Sequence, residues 1–81
     1  MTIDARHPLP GTRPLVVGAA RSGVAAARLL RRHGLDVRLV DRGAPNPAFT
    51  ADLAALGIDC RFGSDAPEQL EERDFVVWSP G

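Results

Sequence analysis

The sequence has no lysine, which excludes a phosphate-loop lysine, and it has only one cysteine and no excess charge of either sign. Ten basic residues balance ten acidic ones, whereas proteins that bind nucleic acid usually carry a basic excess. A single cysteine, Cys60, can form neither an internal disulfide nor a zinc site, which fits a reducing compartment. No apolar run approaches the roughly 20 residues of a membrane span, and the N-terminus lacks the regions of a signal peptide. We therefore expect a cytoplasmic protein without a membrane span or a nucleic-acid partner.

What is present fits one small globular domain. The chain has 81 residues, of which 44% are hydrophobic and 25% charged, as in ordinary globular proteins. Residues 1–13 combine two prolines with charged groups and no periodicity, so we predict a flexible lead-in before a domain at residues 14–81. Because the sequence stops directly after an apolar strand, we expect it to be a piece of a longer protein.

From residue 14 onward the sequence alternates between strand and helix patterns. Short apolar or alternating runs predict four strands, at Leu15–Val17, Leu35–Val40, Ile58–Phe62 and Phe75–Trp78. Helical spacing and capping signals predict three helices, at Ser22–His33, from Asn46 to Gly57 with Phe49, Leu53 and Leu56 on one face, and from Asp65 to about Arg73. This alternation is typical of an α/β fold, and it predicts a single doubly wound parallel sheet of about four strands.

Several side chains have specific predicted places. Ser22 is the predicted N-cap of the first helix, and Gly34 closes that helix after His33, which lies in its last turn. Cys60 is predicted to be a buried structural thiol, and Trp78 is predicted to pack in the core rather than to serve as a stacking platform. Three arginines oppose the apolar side of the first helix and predict a solvated face: Arg28, Arg31 and Arg32.

The segment from Gly18 to Gly23 is the first of three candidate ligand-binding segments, because ligands of open parallel sheets bind beyond the carboxyl ends of the strands. Gly18 permits a tight exit from the strand, and Gly23 lets the helix pack closely on the sheet. Ala20 stands where glycine would let the backbone approach a pyrophosphate. The amides at the helix start, the Ser22 hydroxyl and the Arg21 guanidinium can hold a phosphate. The alternative is a turn that only shapes a strand–helix junction.

The other two candidate segments follow the second and the fourth strand. Asp41 is placed to accept hydrogen bonds from the sugar or base of a nucleotide, and the alternative is a solvated strand-end acid. Arg42 would contact a base or a phosphate, or would be a surface residue. Ser79-Pro80-Gly81 is either a chain reversal or a small loop at the ligand edge. The sequence shows no catalytic set of residues and no metal-ligand cluster, so these segments predict a binding module.

Taken together, these motifs resemble the N-terminal domain of the Mur ligase family. The resemblance runs from about Leu15 to Gly81 and rests on Val17-Gly18, Ser22-Gly23, the helix ending at Gly34, Asp41 and the segment Asp74-Phe75-Val76-Val77-Trp78-Ser79-Pro80-Gly81. It implies a Rossmann-like fold that binds the uridine diphosphate (UDP) part of a substrate. The family usually has glycine at the place of Ala20, and arginine at the place of Gly43.

The resemblance also implies a role for each candidate residue. Arg21 and Ser22, next to Ala20, would lie at the diphosphate, and Asp41 and Arg42 at the uracil. The loop after the fourth strand would lie beside the nucleotide, through Ser79 and Gly81.

For the full-length enzyme, the resemblance implies an ATP-dependent ligase of peptidoglycan precursor synthesis that adds D-glutamate to UDP-N-acetylmuramoyl-L-alanine. Its central domain would bind ATP and magnesium, and a C-terminal domain would bring the amino acid. Both domains are absent from this chain, which would bind no cofactor and would not ligate alone. Two alternatives stay open: an NAD(P)-binding Rossmann domain of an oxidoreductase or regulatory sensor, and an interaction domain without a ligand.

Overall fold

A four-stranded, entirely parallel sheet forms the centre of the computed structural model, which describes residues 11–78. Its strands are β1 (Pro14–Val17), β2 (Arg38–Asp41), β3 (Asp59–Phe62) and β4 (Phe75–Trp78). Helix α1 (Arg21–Arg32), the single-turn helix α2 (Pro47–Thr50) and a 3₁₀ helix (Ala66–Gln69) connect them. The strand order is β3-β2-β1-β4, so the chain reverses its direction of travel across the sheet between β1 and β4. The predicted α/β fold with a small parallel sheet is confirmed.

Both faces of the central strands are covered. On one face, Val16 and Leu39 pack with the buried residues of α1, among them Ala27 and Leu30. Side chains alternate between the faces of a strand, so Leu15 and Val40, which are also fully buried, belong to the opposite face. There the 3₁₀ helix contacts β1 and β2. Layers on both sides of a parallel sheet are the arrangement that a doubly wound topology requires.

The two ends of α1 differ in how well the sequence predicts them. The predicted N-cap, Ser22, is wrong: Ala20 occupies that position in extended conformation, and its carbonyl accepts the first helical bond from Val24 at 3.0 Å. Gly18 turns the chain at a positive φ of 105°, and the N-cap lies two residues earlier than the capping signal indicates.

At the C-terminal end of α1, the prediction is confirmed. His33 is the exposed C-cap, and Gly34 adopts a φ of 80°. Gly34 N–H donates to the Arg31 carbonyl at 2.9 Å, and Leu35 N–H donates to the Leu30 carbonyl at 3.2 Å. These two bonds form a Schellman motif, and they satisfy carbonyls that the helix itself leaves without partners.

The second helix is shorter than its pattern predicts. Asn46 caps α2 by accepting from Ala48 N–H at 3.0 Å, but the helix ends at Thr50 and turns continue to Gly57. The predicted apolar face is wrong at its last member, because Leu53 is fully buried while Leu56 is 42% exposed. Bonds from residue i+3 to residue i tighten these turns and rotate Leu56 away from the core, as in Leu56 N–H to the Leu53 carbonyl.

The predicted solvated face of α1 is confirmed, since Arg31 and Arg32 are exposed and Arg28 is partly exposed, but two of these arginines also contact the turns after α2. Both guanidinium nitrogens of Arg28 donate to the Asp52 carboxylate, at 2.7 and 2.5 Å. Arg31 donates to the carbonyl oxygens of Leu56 and Leu35. The two side chains therefore fasten the turns after α2 to α1, a tertiary role that helical spacing does not reveal.

The predicted third helix is also cut short. Its capping box forms between Asp65 and Glu68, but the helix is a 3₁₀ helix that ends at Gln69 rather than near Arg73. Glu72 lies in the left-handed region at a φ of 62°, which a continuous helix does not allow.

Cys60 on β3 packs against the core as predicted, although its burial is only partial. Its thiol lies 3.7 Å from the Ile58 carbonyl, and burial, with a smaller contribution from Asp59, raises the pKa of the thiol.

Asp74, which directly precedes β4, is hydrogen-bonded to the segment that directly precedes β1. Its Oδ2 accepts from the backbone N–H groups of Thr12 and Arg13, both at 2.9 Å, and its Oδ1 accepts from the Arg13 guanidinium at 3.1 Å. These charge-assisted bonds hold the pKa of Asp74 below its usual value, chiefly through Arg13. Thr12 and Arg13 are the last two residues of the predicted lead-in, and residues 1–10 lie outside the described part of the chain.

Candidate nucleotide site

A cleft opens at the carboxyl edge of the sheet, where β1, β2 and β4 end side by side. In the last register row, Val17 pairs with Val40 on one side and with Trp78 on the other. The cleft has a volume of about 410 Å³. Its lining combines strand ends with the segment between β3 and the 3₁₀ helix: Val17, Gly18, Val40, Asp41, Arg42, Ser64, Ala66, Pro67 and Trp78. Two of the three candidate segments of the sequence therefore contribute directly to one cleft.

The predicted phosphate turn has the backbone shape that such a turn needs. Gly18 takes its positive φ and donates to the Val40 carbonyl at 2.9 Å, so the turn is fixed to β2. Ala20 and Ser22 are exposed at the start of α1, while Gly23 is buried in the helix. The N-terminus of a helix attracts anions because its first amides and the helix dipole both favour negative charge. The turn thus presents a favourable edge for a phosphate.

Asp41 connects the two halves of the candidate site. Its Oδ2 accepts from Ala19 N–H in the turn, and its Oδ1 accepts from Gly43 N–H after β2, both at 2.7 Å. The bond from Ala19, followed by that from Gly43, holds the pKa of this half-buried carboxyl below its usual value, while burial acts in the opposite direction. Asp41 therefore stays ionised at neutral pH, and each oxygen retains a lone pair that can accept from a ligand.

The two arginines of the candidate site are held by different neighbours. The exposed Arg21 guanidinium lies 5.7 Å from the centre of the Phe49 ring, within the range of a cation–π contact. Arg42 is 85% exposed at its side chain and pairs with Asp65, the N-cap of the 3₁₀ helix. Both side chains border the carboxyl edge, and the ion pair of Arg42 is open to solvent and weak.

Trp78 corrects a sequence prediction, because it is a cleft residue and not a core residue. Its exposure is 69%, the largest among the exposed large hydrophobic residues in the described part of the chain. Alternation along β4 puts Phe75 and Val77 against the α1 core and turns Trp78 to the other face. At this last strand position the indole lines the cleft.

Sequence reasoning also missed the wall formed by Ser64, Ala66 and Pro67. Ser64 N–H donates to the Asp41 carbonyl at 3.3 Å, and Ser64 Oγ accepts from Gln69 at 2.9 Å. The wall exists because the crossover from β3 to β4 passes over the face opposite α1. A right-handed crossover predicts that placement, whereas the capping box at Asp65 predicts a helix start without indicating that it borders the cleft.

Two of the predicted site residues, Ser79 and Gly81, lie outside the described residues. Within residues 11–78, no group of three or more histidine, cysteine or acidic residues is arranged to hold a metal ion. Over the same residues, no helix has the length and apolar character needed to cross a bilayer.

The parallel sheet and the glycine turn ahead of α1 define the chain as a Rossmann-like α/β domain. A family model described as "Mur ligase MurD-like, N-terminal domain" matches residues 12–81, so the chain belongs to this family, as its motifs predict. The relatives of this chain include several proteins named UDP-N-acetylmuramoylalanine--D-glutamate ligase, among them the following three. The protein of Desulfovibrio desulfuricans is 48% identical over 88% of this chain and 17% of its own length. That of Oleidesulfovibrio alaskensis is 47% identical over 98% of this chain and 20% of its own length. That of Salinibacter ruber is 46% identical over 86% and 15%.

The chain spans a fifth or less of the length of these three relatives. Their matched segments correspond to one N-terminal domain of a larger ligase. The comparisons therefore show the family of this domain, and the activity and substrates of the whole protein are treated as a proposal.

Proposed function

We propose that this domain binds the UDP part of UDP-N-acetylmuramoyl-L-alanine. The observation that carries the proposal is the 2.7 Å bond from Ala19 N–H to Asp41, which joins the predicted phosphate turn to the acid that we propose for nucleotide recognition. The names of the relatives support the choice of substrate, since each contains UDP-N-acetylmuramoylalanine.

In this proposal the diphosphate lies against the start of α1, near Ala20, Arg21 and Ser22. The helix dipole and the Arg21 charge both favour two phosphate groups at this position. The uracil lies farther along the cleft, where its N–H group donates to Asp41 and Arg42 borders the ring. Ser79 and Gly81 would complete the site from the loop after β4.

The whole protein is, in the same proposal, a cytoplasmic ATP-dependent ligase that adds D-glutamate during peptidoglycan precursor synthesis. Residues 11–78 do not fit magnesium, because they hold no group of three or more histidine, cysteine or acidic residues arranged for a metal ion. ATP, magnesium and D-glutamate would be bound by the central and C-terminal domains of the longer ligase. The domain alone would bind substrate without joining it to an amino acid.

Replacing Ser22 by leucine tests the proposed diphosphate position. Ser22 is the second residue of α1 and is exposed, so a larger side chain fits without disturbing the core. It would block the first-turn amides, and we expect UDP binding to weaken at least tenfold while the midpoint of thermal unfolding changes little. Ligand-observed NMR would measure the affinity.

Arg32→Leu is the matched control, because it places the same side chain at the other end of α1. We expect this variant to bind UDP like the parent chain. Unchanged UDP affinity in a folded Ser22→Leu variant would show that the phosphate site has been misplaced.

A further inference from the structure

The indole of Trp78 is exposed to solvent at the cleft, where an aromatic surface can contact a bound ligand. Indole is a large, mostly apolar side chain that proteins normally cover, yet 69% of Trp78 is exposed. The other large exposed hydrophobic residues of the described part are less exposed and do not line this cleft: Leu29, Leu56 and Leu70. Within the described part of the chain, the most exposed large hydrophobic side chain therefore lies at the candidate site.

The sheet register fixes what lies beside this indole. Trp78, Val17 and Val40 occupy one row across three adjacent strands, and their side chains point to the same face. Two interstrand spacings separate the ends of that row, about 9.6 Å. The partly exposed Val17 and the fully buried Val40 thus lie between Trp78 at one end of the row and Asp41, which follows Val40, at the other. The cleft that these four residues line has a volume of about 410 Å³, within the usual range of small-molecule sites.

The position of Trp78 also coincides with the place where the topology favours a ligand. β1 has β2 on one side and β4 on the other, and the order of strands reverses at β1. Ligands of open α/β sheets bind at such a reversal, outside the carboxyl ends of the strands. The indole stands at this point, on the side of β1 opposite to Asp41.

We infer that Trp78 is the stacking wall for the nucleotide base, and that Asp41 reads the edge of the same ring. This inference rests on the proposed function and adds to it the residue that selects a planar base. Aromatic stacking is tolerant of base identity, since every base has a π face. Selection of the pyrimidine then comes from the hydrogen bonds to Asp41, and Trp78 supplies affinity for the ring.

The intrinsic fluorescence of the chain isolates this contact. The sequence contains one tryptophan and no tyrosine, so emission excited at long wavelength reports Trp78 alone. We expect UDP to quench this emission with a saturating curve, because the base stacks on the indole. Inorganic pyrophosphate, which lacks a base, should bind at the turn with little quenching.

Two substitutions separate stacking from folding and from phosphate binding. Trp78→Leu should weaken UDP binding at least tenfold, in line with the energies of base–aromatic stacking, while Trp78→Phe should retain most of the affinity. Pyrophosphate should bind the parent chain and both variants equally, as measured by ligand-observed NMR. The high exposure of Trp78 leaves the unfolding midpoint of both variants near that of the parent.

The possible results distinguish the two proposals. UDP affinity that is equal in Trp78→Leu and the parent chain would overturn the stacking role and leave the UDP site standing. Equal weakening of UDP and pyrophosphate would also overturn it, because the substitution would then have distorted the turn. If neither UDP nor pyrophosphate binds the parent chain, the proposed function fails and the stacking role fails with it.

Discussion

Replacing Leu30 by aspartate should abolish cooperative folding of the chain. Leu30 is 1% exposed and packs in the core between α1 and the sheet. Loss of a buried leucine side chain costs about 2–5 kcal/mol, and burying a carboxylate without a partner costs several more. A domain of this size has about 4–12 kcal/mol of stability, so the substitution removes most or all of it.

The adjacent position provides the control. Leu29→Asp makes the same chemical change on the same helix, but Leu29 is 37% exposed and its carboxylate can reach water. Far-ultraviolet circular dichroism with urea titration should show a cooperative transition for Leu29→Asp and none for Leu30→Asp. A cooperative transition in Leu30→Asp near that of the parent chain would contradict the assignment of this face of α1 to the core.

Replacing Asp41 by asparagine should lower the free energy of unfolding at pH 7 by about 1–3 kcal/mol, the usual contribution of hydrogen bonds to a charged group. The substitution removes the charge that accepts from Ala19 and Gly43, and places an amide N–H₂ group opposite one of these donors. The bond between the glycine turn and the end of β2 is then weakened. We expect UDP affinity to fall as well, because the turn loses its fixed position.

The pH dependence of stability provides a second measure of Asp41. Because folding lowers the pKa of this carboxyl, its stabilisation is present above the unfolded value of about 3.9. It is lost as the pH falls from there through the lower pKa of the folded state. The stability difference between the parent chain and Asp41→Asn should therefore be largest near neutral pH and shrink on acidification.

Asp52→Asn is the matched control for this experiment. The Asp52 carboxyl also has a lowered pKa, through its bonds to Arg28, but it lies at the solvent-exposed surface. Exposed ion pairs contribute little to folding, so we expect almost no change in the free energy of unfolding. Equal stability of Asp41→Asn and the parent chain at pH 7 would contradict the connecting role of Asp41.

The sequence could predict that Gly18 and Asp41 lie close together, because their proximity follows from the topology of the sheet. Carboxyl ends of parallel strands share one edge, so residues far apart in sequence are brought together without any knowledge of side-chain packing. The bond from Ala19 to Asp41 could not be predicted, since it depends on how far the positive φ of Gly18 turns the chain.

Trp78 and the arginines of α1 show where local patterns stop being informative. A wholly apolar strand has no alternation, so nothing in Phe75–Trp78 indicates which side chains face the α1 core and which face the cleft. Helical spacing correctly places Arg28 away from the apolar side, but its partner Asp52 is brought near only by the tertiary fold. The error at Trp78 and the unpredicted pair of Arg28 with Asp52 both concern contacts between elements.

The most direct test of the UDP site is an amide-resolved NMR titration of this chain with UDP, UDP-N-acetylmuramoyl-L-alanine, NAD and NADP. The uridine ligands should shift the amides of residues 18–23, 41–43 and 78–81 and leave the far end of α1 unchanged. Shifts in these residues with a dinucleotide alone would contradict the proposal and favour an NAD(P) domain. Shifts with the uridine ligands that fall outside the cleft would contradict the position of the site.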